Sequence, residues 1–349
     1  MVHLWVRGEQ RPNEERVGLT PEGAAALIAR GFRVTVEDSP HRCIALQGYV
    51  DAGCAVAPFA SWPEAPADAV IFGLKELPAD GTPLPHRHIL FGHAYKGQPE
   101  GPALLARFRA GGGVLYDLEA LVDEAGRRVA AFGYWAGYAG AAVTALAWIA
   151  QARGGICAPV HTWPDAKAIA RQIAGELHAL GTPHPRALII GAKGRVGTGA
   201  ADLCQAVGIA TTLWDIEETA RGGPFPEVLE HELFFNCILA RPGCPVFVPR
   251  GALAARRALR VIGDVACDPG SAYNPVPVYD RATDWQEPVI RVHDAPPLDV
   301  MAIDNLPSLL PVESSVDFAA QLLPHLMTLD TIEAGVWGRA QAAFDAHAG

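Results

Sequence analysis

Short apolar runs alternate with stretches of helical periodicity along the chain. The first half contains five runs that are predicted strands, at residues 4–6, 32–36, 69–74, 89–92 and 114–116. The first helix is predicted to begin at Thr20-Pro21-Glu22, because Thr is a favourable N-cap, Pro suits the first turn and Glu complements the positive end of a helix. This alternation is typical of βαβ units and a parallel sheet.

The second half repeats the pattern. Its predicted strands lie at residues 187–190, 211–214, 233–238, 260–265, 289–292 and 300–303, and two last helices are predicted near 314–329 and 331–347. A chain of 349 residues favours two domains, at roughly 100–200 residues per domain. The sequence therefore predicts an α/β protein with two domains.

Residues 129–152 carry no charged side chain, and a segment of this length can cross a bilayer. Gly and Ala dominate it, however, and small residues recur at every fourth position. These are Gly133, Gly137, Ala141 and Ala145, with Ala136 and Gly140 on a neighbouring row. Because small residues at this spacing let two helix backbones approach closely, we predict a buried helix of a globular protein and not a membrane span.

The charge balance limits the partners. A net charge of −10 and a pI near 5.6 argue against nucleic acid and anionic membranes, which both require a basic face. Seven cysteines without a CxxC pair are typical of free thiols in a reducing cytoplasm, not of a disulfide framework or a zinc site. The N-terminus shows no secretory signal, so we expect a cytoplasmic protein. From the charge and the cysteines we also expect a small-molecule substrate and no metal.

A glycine-rich turn joins an apolar strand to a helix at Gly191-Ala-Lys-Gly194-Arg-Val-Gly197-Thr-Gly199. Glycines let the main chain approach a pyrophosphate, which then lies at the helix N-terminus. Asp215 ends the next strand, 24 residues after Gly191, where an acid binds ribose hydroxyls and repels the extra phosphate of NADP. The glycine spacing, GxxGxxGxG, departs from the GxGxxG pattern of many dinucleotide-binding turns. The alternative to a cofactor site is a tight strand–helix turn that binds no ligand. The context favours NAD.

Ionisable side chains follow three predicted strands, where open α/β sheets bind their ligands. They are Lys75 and Glu76, then His93, then Glu119. Lys75 can act as a base near neutral pH only if burial or nearby cations lower its pKa by several units, whereas His93 needs much less adjustment. Taken singly, Lys75 and Glu76 are more simply interpreted as a solvated strand end. Taken together, the three stretches form a plausible acid–base cluster.

Three arginines could bind an anionic substrate. Arg16 precedes the first helix, and Arg127 and Arg128 precede the uncharged segment. Arginine pairs with carboxylates through two parallel hydrogen bonds, so these residues suit a substrate with several carboxylates. A solvated surface charge is the alternative for any exposed arginine.

Six stretches are long and unusual: VEDSP at 36–40, GLKELP at 73–78, YDLE at 116–119, GRRVAAFGYWAGYAGAA at 126–142, WDIEETARGGPF at 214–225 and IDNLPSLLP at 303–311. In these stretches, and along almost its whole length, the chain resembles the fungal-type, NAD-dependent, lysine-forming saccharopine dehydrogenases. It is more distantly similar to the alanine dehydrogenase and transhydrogenase group, which shares the pattern Glu-x-Arg-Val-x-Leu-Thr-Pro that begins here at Glu14.

The resemblance implies two Rossmann-like domains with parallel sheets around an inter-domain cleft. Residues 1–131 and 315–349 would form the substrate domain, and residues 132–314 the NAD-binding domain. It also implies a reversible reaction in which saccharopine, NAD and water give lysine, 2-oxoglutarate and NADH. A lysine at the position of Lys75 takes the proton of the secondary amine, and a histidine at the position of His93 activates water that hydrolyses the imine. Acids at Glu76 and Glu119 tune both groups.

Further positions follow from the same resemblance. Substrate contacts are expected from Arg16, Gln98, Arg128 and Phe132, and cofactor contacts from Gly194, Arg195, Asp215, Thr219, Arg127 and Asp304, besides Gly191 and Gly197 of the turn. The chain also departs from the fungal pattern. Val196 replaces a cysteine, which leaves Cys237 without its family partner, and Arg11 replaces a lysine.

Two alternatives stay open. One is a related opine-type or amino-acid dehydrogenase that uses a different amine. The other is a non-catalytic NAD(H) sensor, which has no need of both Lys75 and His93. We expect the protein to be a monomer.

Overall fold

The computed structural model describes residues 1–95 and 100–348. The strands are β1 His3–Val6, β2 Arg33–Glu37, β3 Ala55–Ala57, β4 Ala69–Phe72, β5 Arg87–Leu90, β6 Val114–Asp117, β7 Arg186–Ile190, β8 Ala210–Trp214, β9 Leu233–Asn236, β10 Val261–Asp264, β11 Ile290–Asp294 and β12 Pro297–Met301. The α-helices are α1 Pro21–Ala29, α2 Leu46–Asp51, α3 Gly101–Gly111, α4 Gly133–Ala152, α5 Ala166–Leu180, α6 Arg195–Ala206, α7 Ile216–Thr219, α8 Pro226–Leu229, α9 Pro311–Leu326 and α10 Gly335–Ala348. Short 3-10 helices lie at Trp62–Glu64, Arg250–Leu253, Leu306–Leu309 and Leu329–Thr331.

The chain divides into two compact units. Unit 1 comprises Met1–Ala131 and Pro311–Gly349, and unit 2 comprises Phe132–Leu310. The C-terminal segment belongs to unit 1 from Pro311 onward, four residues before the predicted position 315, because α9 begins there.

Unit 1 contains a six-stranded sheet in the order β3-β2-β1-β4-β5-β6. All its strand pairs are parallel, and β1 is completely buried, which is usual for a parallel sheet covered on both faces. The strand order reverses between β1 and β4, which creates a topological switch point at their carboxyl ends. The five predicted strands are confirmed. The sequence analysis missed β3, which has only three residues, two of them exposed.

Helices at both ends of the chain complete unit 1. Helix α1 begins as predicted, since the Thr20 side chain accepts a hydrogen bond from the backbone N–H of Gly23 at 3.2 Å and Pro21 is the first helical residue. Helix α10 packs on β6, where the buried Trp337 ring contacts Tyr116 edge to face at 5.9 Å. The C-terminal segment is therefore part of this unit's core.

Unit 2 contains a second six-stranded sheet, in the order β11-β12-β10-β9-β7-β8. The predicted parallel sheet is confirmed for the pairs of β7 to β10 and β12, and its edge differs, since β11 pairs with β12 in antiparallel fashion. Only two residues separate these strands. So short a connection can only form a hairpin, because a parallel crossover needs a dozen or more residues.

The uncharged segment forms helix α4, most of whose residues are buried, so the prediction of a buried helix is confirmed. It packs closely on α6. A Cβ atom added to Gly137 would lie 1.8 Å from the carbonyl oxygen of Val196, and one added to Gly199 would lie 1.9 Å from that of Tyr134. The small-residue stripe thus lets the two backbones touch. Among the described helices, none has the length and apolar character needed to cross a membrane.

Candidate active site

Lys75 follows strand β4 in a short loop that is fixed by two residues after β1. The Glu9 carboxylate accepts hydrogen bonds from the backbone N–H groups of Leu74 at 2.6 Å and Lys75 at 3.0 Å. Arg7 donates to the carbonyl oxygen of Lys75 and lies 3.4 Å from Glu9. The sequence analysis missed both residues. The sequence could have indicated them, because Arg7 and Glu9 follow the end of β1 as Lys75 follows the end of β4. These two strands are parallel neighbours in the sheet.

The environment of Lys75 favours its neutral amine. Burial lowers its pKa, as do the nearby cations Arg16 and Arg11, whereas Glu14 and Glu76 oppose the shift. The net direction is downward. This is the direction of shift that a base at Lys75 requires.

Arg16 and Glu14 form a buried ion pair in the same region. The Arg16 Nε and Nη2 atoms donate to the two Glu14 oxygens at 2.8 and 2.6 Å, and the backbone N–H of Arg16 donates to Oε1 at 3.1 Å. Burial disfavours the Glu14 carboxylate, but the charge and hydrogen bonds of Arg16 outweigh it and lower the pKa of Glu14 to about 2. Glu14 therefore fixes the orientation of the Arg16 guanidinium.

His93 follows strand β5 and faces Glu119, which follows the neighbouring strand β6. The His93 Nδ1 atom lies 3.5 Å from Glu119 Oε1, and Arg128 Nη1 lies 3.7 Å from the same oxygen. The hydrogen bond to Glu119 raises the pKa of His93, although burial opposes the shift. His93 has a positive φ of 48°, a strained conformation outside glycine that is often associated with functional sites.

A buried carboxylate links the His93 and Glu119 loops. Asp117 ends β6, and its Oδ1 atom accepts a hydrogen bond from the backbone N–H of Glu119 at 2.9 Å. Burial raises the pKa of Asp117, whereas the N–H groups of Glu119 and Gly92 lower it. The sequence analysis named this residue only as part of its stretch and assigned it no role.

The C-terminal helices position the loop that carries Arg128. Val122 and Arg128 form an isolated antiparallel bridge, and Arg339 of α10 donates two hydrogen bonds, at 3.0 and 2.9 Å, to the carbonyl oxygen of Val122. Gln321 of α9 exchanges hydrogen bonds with the backbone of Ala131. Distant parts of the chain therefore hold the segment in place.

The remaining predicted residues of this group have different surroundings. Glu76 is exposed and lies 3.3 Å from Arg11. Arg127 is also exposed and pairs with Asp123 at 3.0 Å. Phe132 is the first residue of unit 2 and precedes helix α4. Gln98 lies outside the described residues.

Unit 2 contains the glycine-rich turn between β7 and α6. Gly191 has a φ of +88°, and a Cβ atom on Gly197 would lie 2.2 Å from the carbonyl oxygen of Gly191. Gly194 precedes the helix, and Arg195 is its first residue. The turn is as tight as the sequence predicts, and its geometry depends on glycine at 191 and 197.

Asp215 lies at the end of β8, next to this turn. Its carboxylate accepts hydrogen bonds from the backbone N–H groups of Lys193 and Ile216, both at 2.9 Å, and the Thr219 hydroxyl donates to the Asp215 carbonyl at 3.0 Å. Both side chains border a largely apolar cavity of about 580 Å³. Its wall includes Ile190, Asp215, Thr219, Ile238, Leu239 and Phe247.

These features fit a dinucleotide. The tight turn and the N-terminus of α6 suit phosphates, and an apolar cavity beside an acid suits a purine and its ribose. Asp304 is exposed, beyond Ile303. All seven cysteines are free thiols in this structure, including Cys237.

Comparisons with known proteins cover nearly the whole chain. The family model for the alanine dehydrogenase/PNT N-terminal domain matches residues 5–139. A saccharopine dehydrogenase (NAD(+), L-lysine-forming) of Schizosaccharomyces pombe is 43% identical, with 98% of this chain and 97% of the relative covered. Proteins of the same name from Yarrowia lipolytica and Candida glabrata are 44% and 43% identical, each with 99% of this chain and 97% of the relative covered.

Solved structures share the fold at low sequence identity. An L-alanine dehydrogenase is 18% identical with a TM-score of 0.68, over 99% of this chain and 94% of that one. A transhydrogenase from Sinorhizobium meliloti is 19% identical with a TM-score of 0.66, over 95% of this chain and 96% of that one. Both support the assignment of two Rossmann-like α/β units.

Proposed function

The chain belongs to the family of NAD-dependent, lysine-forming saccharopine dehydrogenases, and we propose that it catalyses the family reaction. Saccharopine, NAD and water give L-lysine, 2-oxoglutarate and NADH, reversibly. The single observation that supports the chemistry best is the environment of Lys75, whose pKa is lowered by burial and by Arg16. The amine that this favours is the form that the first proton transfer requires.

NAD is the cofactor in this proposal, and unit 2 binds it. Gly191, Gly194, Arg195 and Gly197 hold the phosphates, and Asp215 and Thr219 border the cavity that receives the adenosine end. NAD, when bound, would supply the acceptor for the hydride that leaves the substrate carbon. The Asp215 carboxylate disfavours the additional phosphate of NADP. We assign Arg127 and Asp304 to the cofactor as well.

Lys75 acts as the base in the oxidation step. Its neutral Nζ takes the proton from the secondary amine of saccharopine, and loss of hydride from the glutaryl carbon then leaves an imine. In the reverse direction the Lys75 ammonium returns that proton. Because Arg16 and Arg11 lower the pKa of Lys75, both forms are available closer to neutral pH than for an exposed lysine.

His93 acts in the hydrolysis of the imine. With Nδ1 turned toward Glu119, the Nε2 atom is the one that can take a proton from water as it attacks the imine carbon. Glu119 stabilises the resulting imidazolium, consistent with the raised pKa of His93. The protonated His93 then returns its proton as the carbon–nitrogen bond breaks, which releases lysine and 2-oxoglutarate.

Cationic side chains bind the carboxylates of the substrate. Glu14 orients the Arg16 guanidinium, and Arg128 lies beside Glu119, the partner of His93. Guanidinium groups suit carboxylates because they offer parallel N–H donors. We assign Gln98 and Phe132 to the substrate on the family pattern, and Glu76 to tuning the charge near Lys75.

The activity is tested by supplying NADH, 2-oxoglutarate and a panel of amines, and by following NADH oxidation. We expect lysine to give the highest kcat/KM and saccharopine to be the product. A different preferred amine would favour another dehydrogenase of the same chemistry. Binding of NADH without oxidation in the presence of any amine would favour a sensor.

Lys75 is tested with Lys75→Met, which keeps much of the side-chain volume but removes the amine. We expect kcat to fall by about 10²–10⁴-fold, while NADH affinity stays unchanged. Lys167→Met, at an exposed position of α5, is the matched control and should keep full activity. An unchanged rate in Lys75→Met would remove this residue from the mechanism.

We also propose that the protein works in the cytoplasm as a monomer without nucleic-acid or membrane partners. The net charge of −10 argues against the two excluded partners, since nucleic acid and anionic membranes both favour basic proteins. Light scattering at working concentration tests the oligomeric state, and a mass of two chains would contradict the proposal.

A further inference from the structure

Arg7 and Glu9 form an ion pair that holds the main chain of the loop carrying Lys75. Their side chains are 0% and 7% exposed. Glu9 accepts one hydrogen bond on each carboxylate oxygen, from the N–H groups of Leu74 and Lys75. Arg7 donates to the Lys75 carbonyl oxygen and to that of Gly8. Both peptide groups flanking the Lys75 Cα atom therefore contact this pair.

The loop sequence leaves room for the arginine. A Cβ atom on Gly73 would lie 2.3 Å from Nε and 2.6 Å from Cζ of Arg7. Any larger residue at position 73 would push the guanidinium away from the Lys75 carbonyl. The absence of a side chain at 73 is therefore required by the position of Arg7.

A surface loop does not need such an arrangement. Removing two charges from water carries a large desolvation cost, and an ion pair of this kind is often no more stable than apolar residues of the same volume. Its geometry is instead highly specific, because the carboxylate accepts from the peptide N–H before the Lys75 Cα atom and the guanidinium donates to the peptide carbonyl after it. Fixing the Cα atom of Lys75 limits the positions that its ammonium can reach.

We propose that Arg7 and Glu9 are positioning residues, which as a charge-neutral pair fix the backbone of Lys75 so that its amine reaches the substrate nitrogen. The inference rests on the proposed function. It adds that the pair must stay neutral, because either charge alone, in contact with the Lys75 backbone, would act on the Lys75 ammonium. Burial raises the pKa of Glu9, and the adjacent Arg7 and the two N–H donors oppose that shift.

Other charged residues also act on Lys75 and Glu9, and they are unchanged in the variants proposed below. Lys75 is affected by Arg16, Glu14, Arg11 and Glu76, and in turn affects His93; Glu9 is affected by Arg7 and Glu14. Because these residues are present in every variant below, a difference between variants reports the Arg7–Glu9 pair.

The single variants should move the pH profile in opposite directions. In Arg7→Gln the N–H groups of Leu74 and Lys75 still hold the Glu9 carboxylate, now without its cation, so the acidic limb of kcat/KM for saccharopine should move to higher pH by roughly one unit. In Glu9→Gln the Arg7 cation remains, and the limb should move to lower pH by a similar amount. The double variant Arg7→Gln/Glu9→Gln should return the limb to its parental pH while kcat stays low.

Gly73→Ala tests the geometry without altering any charge. Displacement of Arg7 should lower kcat by about ten- to a hundredfold, with the pH limb and NADH affinity unchanged. Gly175→Ala is the control. It lies exposed in α5, where an added Cβ meets nothing within 4 Å, and it should leave all parameters as in the parent.

A readout independent of turnover separates this inference from the proposed function. The pH dependence of acylation of Lys75, measured by mass spectrometry, reports its pKa even if the parent turns over no lysine. Opposite shifts in the two single variants would support the pair as described. The inference would be overturned if the pKa of Lys75 moves in the same direction in both single variants, or does not move. This holds for variants that still bind NADH and unfold cooperatively. If a single variant does not fold, Gly73→Ala and the double variant decide, and normal kcat in both would overturn the inference.

Discussion

The Nδ1 atom of His93 lies 3.5 Å from Oε1 of Glu119, although 26 residues separate them in the chain. The contact exists because His93 follows β5 and Glu119 follows β6, which are parallel neighbours. Carboxyl ends of parallel strands meet at one edge of a sheet, so side chains just beyond them become neighbours. This contact raises the pKa of His93, and the first prediction follows from it.

Glu119→Gln should lower the pKa of His93, because the amide cannot stabilise the imidazolium by charge. The neutral base would then persist to lower pH, while kcat should fall as the ring loses its orientation. NMR titration of the His93 ring measures the shift. Glu124→Gln, an exposed neighbour in the same loop, is the control. An unchanged His93 titration in Glu119→Gln would contradict the assigned contact.

The Glu14–Arg16 pair should make stability depend on pH. The pKa of Glu14 falls from its ordinary 4.5 to about 2 in the folded protein. Its contribution to the free energy of unfolding is therefore fully present above pH 4.5 and is lost as the pH falls toward 2. Glu14→Gln should reduce stability at pH 7 by about 3–5 kcal/mol, the cost of leaving a buried charge unpaired, and should flatten the dependence between pH 4.5 and 2.

Urea denaturation of parent and variant across this pH range measures the effect. Glu64→Gln, exposed in the same unit, should follow the parent at every pH. If the free energy of unfolding falls with pH equally steeply in Glu14→Gln and the parent below pH 4.5, Glu14 does not couple folding to protonation.

The close packing of α4 and α6 should not tolerate a side chain at Gly137. An added methyl group would lie 1.8 Å from the Val196 carbonyl oxygen, so the helices must separate. We expect Gly137→Ala to destabilise unit 2 by about 1–3 kcal/mol and to weaken NADH binding, since α6 begins at the glycine-rich turn. Thermal unfolding and NADH titration measure both effects. Gly175→Ala should instead gain slightly in thermal stability from improved helix propensity, with NADH affinity as in the parent. Equal losses of stability in the two variants would refute the packing argument.

Asp215 should control the preference for NAD over NADP. Asp215→Ser removes the charge but keeps a side-chain oxygen that can cap α7, which Asp215 caps through the N–H of Ile216. We expect KM for NAD to rise about tenfold and the discrimination against NADP to fall by a similar factor. Steady-state kinetics with both cofactors measure this. Retained discrimination would mean that another residue excludes the phosphate.

The sequence by itself predicted the elements and the residue types of the site. Periodicity located eleven of the twelve strands in the described chain within a few residues, and the small-residue stripe predicted α4. It also located Lys75, His93 and Glu119 beyond their strands, since local pattern depends only on neighbouring residues. The strand predicted at 300–303 lies at Pro297–Met301 instead, because a hairpin from β11 fixes its start.

Only the tertiary structure decided which side chains meet. The Glu9 carboxylate contacts the backbone of Lys75 across 66 residues of sequence, and Arg339 fixes Val122 across 217. Such contacts depend on the order of strands in the sheet and on the return of the C-terminal helices to unit 1. Periodicity reports which face of an element is buried but not which element covers it. The lowered pKa of Lys75 is therefore a property of the folded protein, because its causes come together only there.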